Sequence, residues 1–396
     1  MPPEAASLKH LPERWHRAPR RWGHQLHSLC SYMAMYPPTI PHVFIRWLTD
    51  PGDVVYDPFS GRGTTGLEAC LLGRAGYGSD ANPLAWILTA AKVDPPTRNS
   101  LNRRLNELET SIEPHSIRAE PEQIQMLFHR RTLGELLWLK RHLNLERRVD
   151  RFLMATLLGV LHGKSTKDGS PTGLTVSMPN TFSMAPGYVA RYISEHSLKA
   201  PKLKVVPFLR QRIESLPLPN AGFRRGAAWL QDARRTPHSR LKRDPAKLIL
   251  TSPPYLRVVK YGQYNWIRLW LLGHEAKHLD AGLFTTQSID RYLRFITLVV
   301  RRVRTALRDD GYLCLVIGDV RRDDTEVNLA AAVAEAAASN TDFQDLGLIT
   351  DRLPVQHKVS RIWGPTKGEA TRRDRILILG GPDALPPGPL ERIQWA

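Results

Sequence analysis

Residues 57–65 read Asp-Pro-Phe-Ser-Gly-Arg-Gly-Thr-Thr, and this stretch decides the fold. The apolar run at residues 54–56 before it is typical of a short buried strand, and residues 65–72 after it have the apolar spacing of a helix. Residues 75–80 predict a second strand that ends at an aspartate. Strand, glycine turn, helix and strand, in that order, open a doubly wound α/β fold.

The glycine turn predicts a site for a cofactor that contains a nucleoside. Gly61 and Gly63 allow the backbone to turn sharply and to approach a ligand closely. The helix that follows offers free backbone N–H groups, and Asp80 ends the next strand, where its carboxylate can accept hydrogen bonds from ribose hydroxyls. Gly66 completes the spacing G-x-G-x-x-G, so the glycines alone leave a nicotinamide dinucleotide open.

Beyond the glycine turn, the chain changes character twice. After Pro95-Pro96, residues 98–162 predict long helices, and residues 163–187 form a polar, turn-rich segment too long for an ordinary connection. The α/β pattern returns near Ala227. Further strands are predicted to end near Asp232 and to cover residues 247–250, 312–317, 346–350 and 375–379. We therefore expect a catalytic α/β domain made of residues 31–97 and 226–396, interrupted by a helical insert at 98–225 and preceded by a basic arm at 1–30.

Composition indicates a polyanionic partner and a reducing compartment. The 396 residues carry a formal net charge of +18, which favours nucleic acid over a neutral partner. Arginine pairs at 130–131, 147–148, 224–225 and 234–235 are candidates for phosphate contacts. The three cysteines, Cys30, Cys70 and Cys314, have no metal-ligand spacing. With no apolar run long enough for a membrane span and no apolar signal region, we expect a cytoplasmic, nucleoid-associated protein without a metal.

A second motif, Thr251-Ser252-Pro253-Pro254-Tyr255, follows the predicted strand at 247–250. Two prolines end the strand and stiffen the turn, which fixes the Ser252 hydroxyl and the Pro253 carbonyl in space. An exocyclic amino group of cytosine or adenine is a poor nucleophile, because its lone pair is delocalised into the ring. Oxygen acceptors aimed at its hydrogens localise that lone pair without a strong base, and Tyr255 can stack on a flipped base.

Taken together, these motifs resemble the DNA amino-methyltransferases, the cytosine-N4 and adenine-N6 family. The resemblance rests on DPFSGRGTT at 57–65, GRAGYGSD at 73–80 and TSPPY at 251–255. More loosely, SYMAMYPPTIP at 31–41 resembles the segment that covers the methionine end of the cofactor, and WLQDAR at 229–234 resembles the strand end near the adenine. The resemblance to this family covers roughly residues 31–95 and 226–380.

The resemblance implies a Rossmann-like methyltransferase fold with a large, mainly helical insertion, and S-adenosyl-L-methionine as cofactor. The implied cofactor-binding residues are Tyr32, Pro41, Asp57, Pro58, Phe59, Ser60, Gly61, Gly63, Thr64, Thr65, Asp80, Asn82 and Asp232. The implied catalytic residues are Ser252, Pro253, Pro254 and Tyr255. Duplex DNA is the implied partner, and the insert is the implied target-recognition region.

Several alternatives stay open. Serine at position 252 is commoner among cytosine-N4 members, so cytosine N4 is the first choice and adenine N6 the second. An RNA base methyltransferase uses the same chemistry, and a nucleic-acid-binding protein with an inactive domain is a third reading. The cofactor motif precedes the catalytic motif here, whereas many SPPY enzymes have the opposite order. The resemblance leaves open a separate restriction endonuclease, as in a restriction-modification system, and the choice between monomer and homodimer.

Overall fold

The structure is a computed structural model that describes residues 22–32, 36–178, 185–219, 221–255, 260–322, 325–351 and 374–388. Nine strands lie within these residues: β1 Val54–Asp57, β2 Ala75–Asp80, β3 Ala227–Leu230, β4 Ala246–Thr251, β5 Leu307–Gly318, β6 Val320–Arg322, β7 Thr325–Val327, β8 Gln344–Asp351 and β9 Asp374–Gly380. The helices of the first half are α1 Thr39–Leu48, α2 Thr64–Leu71, α3 Pro83–Val93, α4 Arg98–Ser111, α5 Glu122–Gln125, α6 Arg130–His142 and α7 Arg148–Val160. Those of the second half are α8 Pro186–Glu195, α9 Val205–Glu214, α10 Arg240–Arg243, α11 Tyr261–Tyr264, α12 Trp266–Leu272, α13 Ala276–Gly282, α14 Ile289–Arg304 and α15 Leu329–Asn340.

Seven of the described strands form one sheet in the order β3-β2-β1-β4-β5-β9-β8. The pairs among β3, β2, β1, β4 and β5 are all parallel, whereas β9 is antiparallel to both of its neighbours. Strand order reverses between β1 and β4, so the crevice of this open sheet lies at the carboxyl ends of those two strands. The predicted α/β fold with a mainly helical insertion is confirmed.

Helices cover both faces of the sheet, as the alternation of side chains along its strands requires. Tyr56 and Ile249 point to the face where α14 and α15 pack. Their neighbours Val55 and Leu248 point to the other face, where they contact α1. Because the central strands are buried on both sides, they are apolar without alternation, which is why the sequence shows them as short apolar runs.

The helices between residues 98 and 214 extend the layer on the α3 side of the sheet. Leu101 of α4, Phe152 of α7 and Leu209 of α9 are fully buried in one cluster with Leu84 of α3 and Leu269 of α12. The predicted insert therefore shares a hydrophobic core with the catalytic domain. Its role as a target-recognition region stays a prediction.

The N-terminal segment differs from the predicted basic arm. Residues 1–21 lie outside the described residues, but Leu26 and Leu29 are buried against α3 and α7 rather than exposed. Gly159 of α7 permits this packing, because a Cβ there would lie 1.9 Å from the Leu29 carbonyl oxygen. Leu26 and Leu29, which lie three positions apart after the arginine-rich segment, therefore belong to the core. No helix in the described ranges is both long and apolar enough to cross a membrane.

Candidate active site

The carboxyl ends of β1, β2, β3 and β4 open onto one cleft of about 720 Å³, counting space that is open to solvent. Nine predicted site residues line it: Tyr32, Pro58, Phe59, Gly61, Asp80, Asn82, Asp232, Ser252 and Pro254. The structure therefore brings the glycine turn and the Ser-Pro-Pro-Tyr turn together, although about 190 residues of sequence separate them.

The glycine turn is tied directly to the end of β2. The Gly61 N–H donates to one Asp80 carboxylate oxygen at 2.9 Å, and the Asn82 N–H donates to the other at 2.9 Å. Gly61 has a φ of +50°, and a Cβ there would lie 3.6 Å from the Tyr32 ring. A β-branched residue at this position would be strained and would point into the cleft.

Asp80 is the titratable group at the centre of the cleft floor. Burial raises the pKa of its carboxyl to about 6, although the N–H groups of Asn82 and Gly61 pull the pKa down. The neighbouring charge of Asp57 adds to the rise. Two N–H donors leave lone pairs on both carboxylate oxygens, so Asp80 retains the capacity to accept further hydrogen bonds from a ligand.

Asp57, predicted as a cofactor residue, lies beneath the turn and holds three elements together. Its carboxylate accepts hydrogen bonds from Thr251 of β4 at 2.6 Å, from Thr65 of α2 at 2.7 Å and from the Phe59 N–H at 3.0 Å. The Tyr36 hydroxyl contacts the same Thr65 hydroxyl. Burial raises the pKa of Asp57, and these hydrogen bonds act in the opposite direction.

Five other predicted cofactor residues also lie away from the lining of the cleft. The Ser60 hydroxyl accepts a hydrogen bond from Thr89 of α3 at 3.0 Å. A Cβ on Gly63 would lie 2.8 Å from the Thr89 backbone, so that glycine serves the packing of the turn on α3. Thr64 and Thr65 begin α2, and Pro41 is buried in α1.

The Ser-Pro-Pro-Tyr turn leaves β4 at the carboxyl edge of the sheet, beside the glycine turn. The Ser252 hydroxyl donates to the Tyr255 hydroxyl at 3.2 Å, so the two polar ends of the motif are already paired. Ser252 and Pro254 line the cleft, whereas Pro253 is buried. Thr251, directly before Ser252, is fully buried and bonded to Asp57, which connects the catalytic turn to the floor of the cofactor turn.

Sequence reasoning missed two aromatic groups of the cleft. On one side, Phe284 stacks on Phe295 of α14 with ring centroids 3.8 Å apart, and Phe59 contacts the same pair. On the other side, Tyr261 of α11 stacks with Tyr32 at 6.1 Å. A tyrosine six residues after the Ser-Pro-Pro-Tyr turn was a usable signal for the second group. The phenylalanines carry no local signal, because only the tertiary fold brings α14 to β1.

The lining of the cleft is acidic in a strongly basic chain. Asp80 and Asp232 are its charged residues among those that the structure describes, and it includes no lysine, arginine or histidine there. Arg234 donates to both oxygens of Asp232 at 2.9 and 3.0 Å from beside the cleft. Burial raises the pKa of Asp232, but the hydrogen bonds from Arg234 outweigh it and lower the pKa overall. Such a lining favours a cationic ligand over a pyrophosphate.

Three of the four arginine pairs divide between the two edges of the sheet. Arg234 and Arg235 follow β3 and lie next to the cleft residue Asp232. Arg148 instead contacts Asp94 at 3.4 Å, and Asp94 ends α3. Since α3 begins at the cleft and its 11 residues span about 16 Å, the pair at 147–148 lies at the opposite edge. The pair at 224–225 shares that edge, because Arg225 also contacts Asp94.

Comparison with known proteins bears on the N-terminal half of this site. Residues 8–86, which include the glycine turn and β2, match the family model described as DNA methylase. The resemblance to DNA amino-methyltransferases is thereby confirmed. A segment of 94 residues is also 34% identical to the Type II methyltransferase M.MvaI of Kocuria varians, and it covers 23% of this chain and 21% of that relative. The chain thus matches about a fifth of the length of this methyltransferase.

Solved methyltransferase structures align with this chain at low identity. TrmN from Thermus thermophilus is 11% identical, with a TM-score of 0.35, and the alignment covers 90% of this chain and 52% of that one. The rRNA methyltransferase aviRa from Streptomyces viridochromogenes is also 11% identical, with a TM-score of 0.34 and coverage of 97% and 100%. The support for the fold comes from the strand order described above.

Proposed function

We propose that this protein is a DNA methyltransferase that transfers a methyl group from S-adenosyl-L-methionine to the exocyclic N4 amino group of cytosine in duplex DNA. The observation that carries the proposal is the shared cleft, where Asp80 after β2 and Ser252 after β4 face the same space. Adenine N6 in DNA and an amino group in RNA are the alternatives. The family match to a DNA methylase model favours DNA over RNA.

The cleft fits the proposed cofactor in shape and charge. The absent side chain of Gly61 leaves room beside Tyr32, and the Asp80 carboxylate can accept hydrogen bonds from ribose hydroxyls. The phenylalanine pair beside Asp232 offers an apolar surface for an adenine ring. S-adenosylmethionine carries a positive sulfonium with an activated methyl group, whereas a nicotinamide dinucleotide would bring a pyrophosphate to two carboxylates.

Gly61→Val and Asp80→Asn are expected to weaken binding of S-adenosylhomocysteine. Valine is strained at a φ of +50° and fills the space beside Tyr32, and asparagine loses an ionised acceptor. We expect a loss of about tenfold or more for each variant, equivalent to about 1.4 kcal/mol. Calorimetric titration measures the loss, with Gly169→Ala in an exposed turn as the matched glycine control. Unchanged affinity in both folded variants would place the cofactor elsewhere.

Binding of the cofactor product is also expected to depend on pH. In the unliganded protein, the Asp80 carboxyl holds its proton up to about pH 6, so affinity for S-adenosylhomocysteine should rise from pH 5 to 7 and then level off. The Asp80→Asn variant should show a flat profile.

The stability of the unliganded fold should change with pH in the opposite direction. It should fall as pH rises from 3.8 to about 6, because the folded state binds the Asp80 proton more tightly than the unfolded chain does.

At the base, the Ser-Pro-Pro-Tyr turn supplies acceptors rather than a strong base. The Ser252 hydroxyl oxygen and the Pro253 carbonyl would accept hydrogen bonds from the two amino hydrogens, which localises the nitrogen lone pair. The Tyr255 ring would stack on a base that has left the duplex. The methylated amino group then releases a proton to solvent, which completes the transfer.

The loop after α7 lies where it could contact the target duplex. α7 begins beside Asp94 at the far edge of the sheet, and its 13 residues rise about 20 Å toward the cleft edge. In the following loop, residues 164–172 form a largely exposed turn closed by a bridge between Ser165 and Pro171, whereas Leu174, Val176 and Met178 are buried in the core. Lys164 and Lys167 are exposed on it. This placement supports the insert as a DNA-recognition region.

The salt dependence of DNA binding tests this placement. Lys167→Ala and Arg235→Ala should each reduce the slope of log Kd against log salt by about one unit, because each removes a phosphate contact. Arg147→Ala, which removes the same kind of charge from the opposite edge, should leave the slope unchanged. Fluorescence anisotropy with a labelled duplex measures all four proteins. Equal slopes for the Arg235 and Arg147 variants would place DNA on another surface.

One experiment tests the proposed function as a whole. The full chain is incubated with methyl-labelled S-adenosylmethionine and mixed DNA, and in parallel with mixed RNA. Mass spectrometry of the digested nucleosides then identifies the modified atom. N4-methylcytosine in the DNA arm supports the proposal, N6-methyladenine selects the alternative base, and label in RNA alone overturns the DNA assignment.

A further inference from the structure

Tyr261 is a cleft residue that neither motif includes. It begins α11, six residues after the end of the Ser-Pro-Pro-Tyr turn, and lines the same cleft as Ser252 and Asp80. Its ring is roughly parallel to that of the buried Tyr32, with an interplanar angle of 27° and centroids 6.1 Å apart. Tyr32 is held in turn by Asn82, whose side-chain amide donates to the Tyr32 hydroxyl at 3.1 Å. Two aromatic rings thus flank the end of the cleft nearest Gly61.

The backbone that carries Tyr261 is fixed by polar contacts. The Asp280 carboxylate accepts hydrogen bonds from the N–H groups of Gly262 at 2.7 Å and Gln263 at 3.0 Å. The buried Asn265 side chain donates to the Tyr261 carbonyl at 3.0 Å. Gly262 packs so closely on α13 that a Cβ would lie 2.3 Å from the Ala276 carbonyl oxygen. The start of the four-residue helix is therefore held by several contacts, which fix the backbone of Tyr261 beside the cleft.

The chemistry of this end of the cleft suits a weakly hydrated cation. An aromatic ring presents a negative face, which attracts a cation more strongly when water is excluded. Burial, with the nearby charge of Asp80, raises the pKa of both tyrosine hydroxyls, so both rings remain neutral at physiological pH. The carboxylate of Asp80 adds negative potential, and the described lining contributes no competing cation. A sulfonium is such a cation, whereas a thioether is neutral.

We propose that Tyr261, together with Tyr32, binds the sulfonium end of S-adenosylmethionine and makes the site prefer it over S-adenosylhomocysteine. This inference rests on the cofactor part of the proposed function. The preference would favour release of the spent cofactor, because the positive charge that the rings attract disappears when the methyl group leaves. Tyr261 is thus assigned to cofactor discrimination rather than to the target base.

Calorimetric titration of the full chain with both compounds tests the inference without measuring activity. Tyr261→Leu should lose about 5- to 30-fold in affinity for S-adenosylmethionine, the range of a partly desolvated cation–π contact, and less than about twofold for S-adenosylhomocysteine. Tyr261→Phe should keep the preference, because it keeps the ring. Tyr264→Leu is the matched control at the other end of α11, since Tyr264 does not line the cleft, and it should bind both ligands as the wild type does.

If Tyr261→Leu misfolds, a variant whose ring has nearly the shape of phenylalanine still tests the inference. Pentafluorophenylalanine at position 261 fills the space of a phenylalanine but reverses the charge of the ring face, so it should lose the preference that Tyr261→Phe keeps. Equal losses for both ligands in Tyr261→Leu, or a fluorinated variant that discriminates like Tyr261→Phe, would overturn the inference alone. A wild-type protein that binds neither ligand would overturn the proposed cofactor as well, and so the two failures are distinguishable.

Discussion

Replacing Ser252 by alanine is expected to slow methyl transfer by roughly a hundredfold or more while it leaves affinity for S-adenosylhomocysteine unchanged. The Ser252 hydroxyl lies on the β4 side of the cleft, whereas Gly61 and Asp80, the residues proposed to hold the cofactor, lie at the ends of β1 and β2. An acceptor that acts on the amino hydrogens strengthens as the nitrogen becomes tetrahedral, so its loss raises the barrier by about 3 kcal/mol. The effect should fall on the rate constant and spare ground-state binding.

The Tyr255 hydroxyl offers a control within the same motif. Ser252 donates to this hydroxyl at 3.2 Å, so Tyr255→Phe removes a contact that orients Ser252 but keeps the ring that stacks on the base. We expect Tyr255→Phe to cost less than Ser252→Ala, and Tyr255→Ala to impair both base flipping and rate. Single-turnover methylation of a target duplex separates these steps from cofactor binding. A Ser252→Ala protein that methylates at the wild-type rate would falsify the mechanism while leaving the enzyme class intact.

The local elements of the fold could be predicted from the sequence, because each has a short-range cause. The apolar run at 54–56 becomes β1, residues 75–80 become β2, and the helix between them begins one residue earlier than predicted, at Thr64. The doubly wound character of the sheet followed from the same pattern, since parallel strands joined by helices form such a sheet, but the order of the strands was not predicted. The joining of the glycine turn with the Ser-Pro-Pro-Tyr turn followed from position, since both turns leave strands at the same carboxyl edge of the sheet.

What the sequence could not predict depends on distant partners. Asp57 follows β1 at the expected place, but its role changes because Thr251, 194 residues away, donates to it. Phe284 and Phe295 reach the cleft through the packing of α14, which no local pattern reports. The sequence predicts Leu26 and Leu29 as part of a basic arm. Their burial could not be predicted, because it depends on close approach to Gly159 of α7. The roles of residues that depend on distant partners are therefore the hardest to assign from the sequence.

The loss of Asp57 should destabilise the fold strongly. Its carboxylate is 2% exposed and accepts hydrogen bonds from the Thr65 and Thr251 hydroxyls and from the Phe59 N–H. Asp57→Ala removes the acceptor of these three donors; the Thr65 hydroxyl keeps the Leu250 carbonyl at 3.4 Å as an alternative, and each donor that stays unsatisfied costs about 1–3 kcal/mol. Even with partial relaxation, we expect a loss of about 3–5 kcal/mol, a large share of the 5–15 kcal/mol typical of a folded domain.

The asparagine variant distinguishes hydrogen bonding from charge at this position. Asp57→Asn keeps one oxygen acceptor, and a rotated threonine hydroxyl can accept from its amide, so the loss should be about 1–2 kcal/mol. Asp53→Ala, at the start of β1 and paired with Arg308 at 3.2 Å, is the matched control and should change stability by less than about 1 kcal/mol. Denaturant unfolding measures all three.

The same carboxylate should also couple the cofactor turn to the catalytic turn. Thr251 precedes Ser252 directly, so a loosened Thr251 would displace the Ser252 hydroxyl from the amino group that it must meet. In a double-mutant cycle, Asp57→Asn and Thr251→Val should therefore be strongly non-additive in the single-turnover rate, with a coupling of at least about 1 kcal/mol. Additive effects, together with a loss below about 1 kcal/mol in the unfolding of Asp57→Ala, would mean that the two turns are positioned independently.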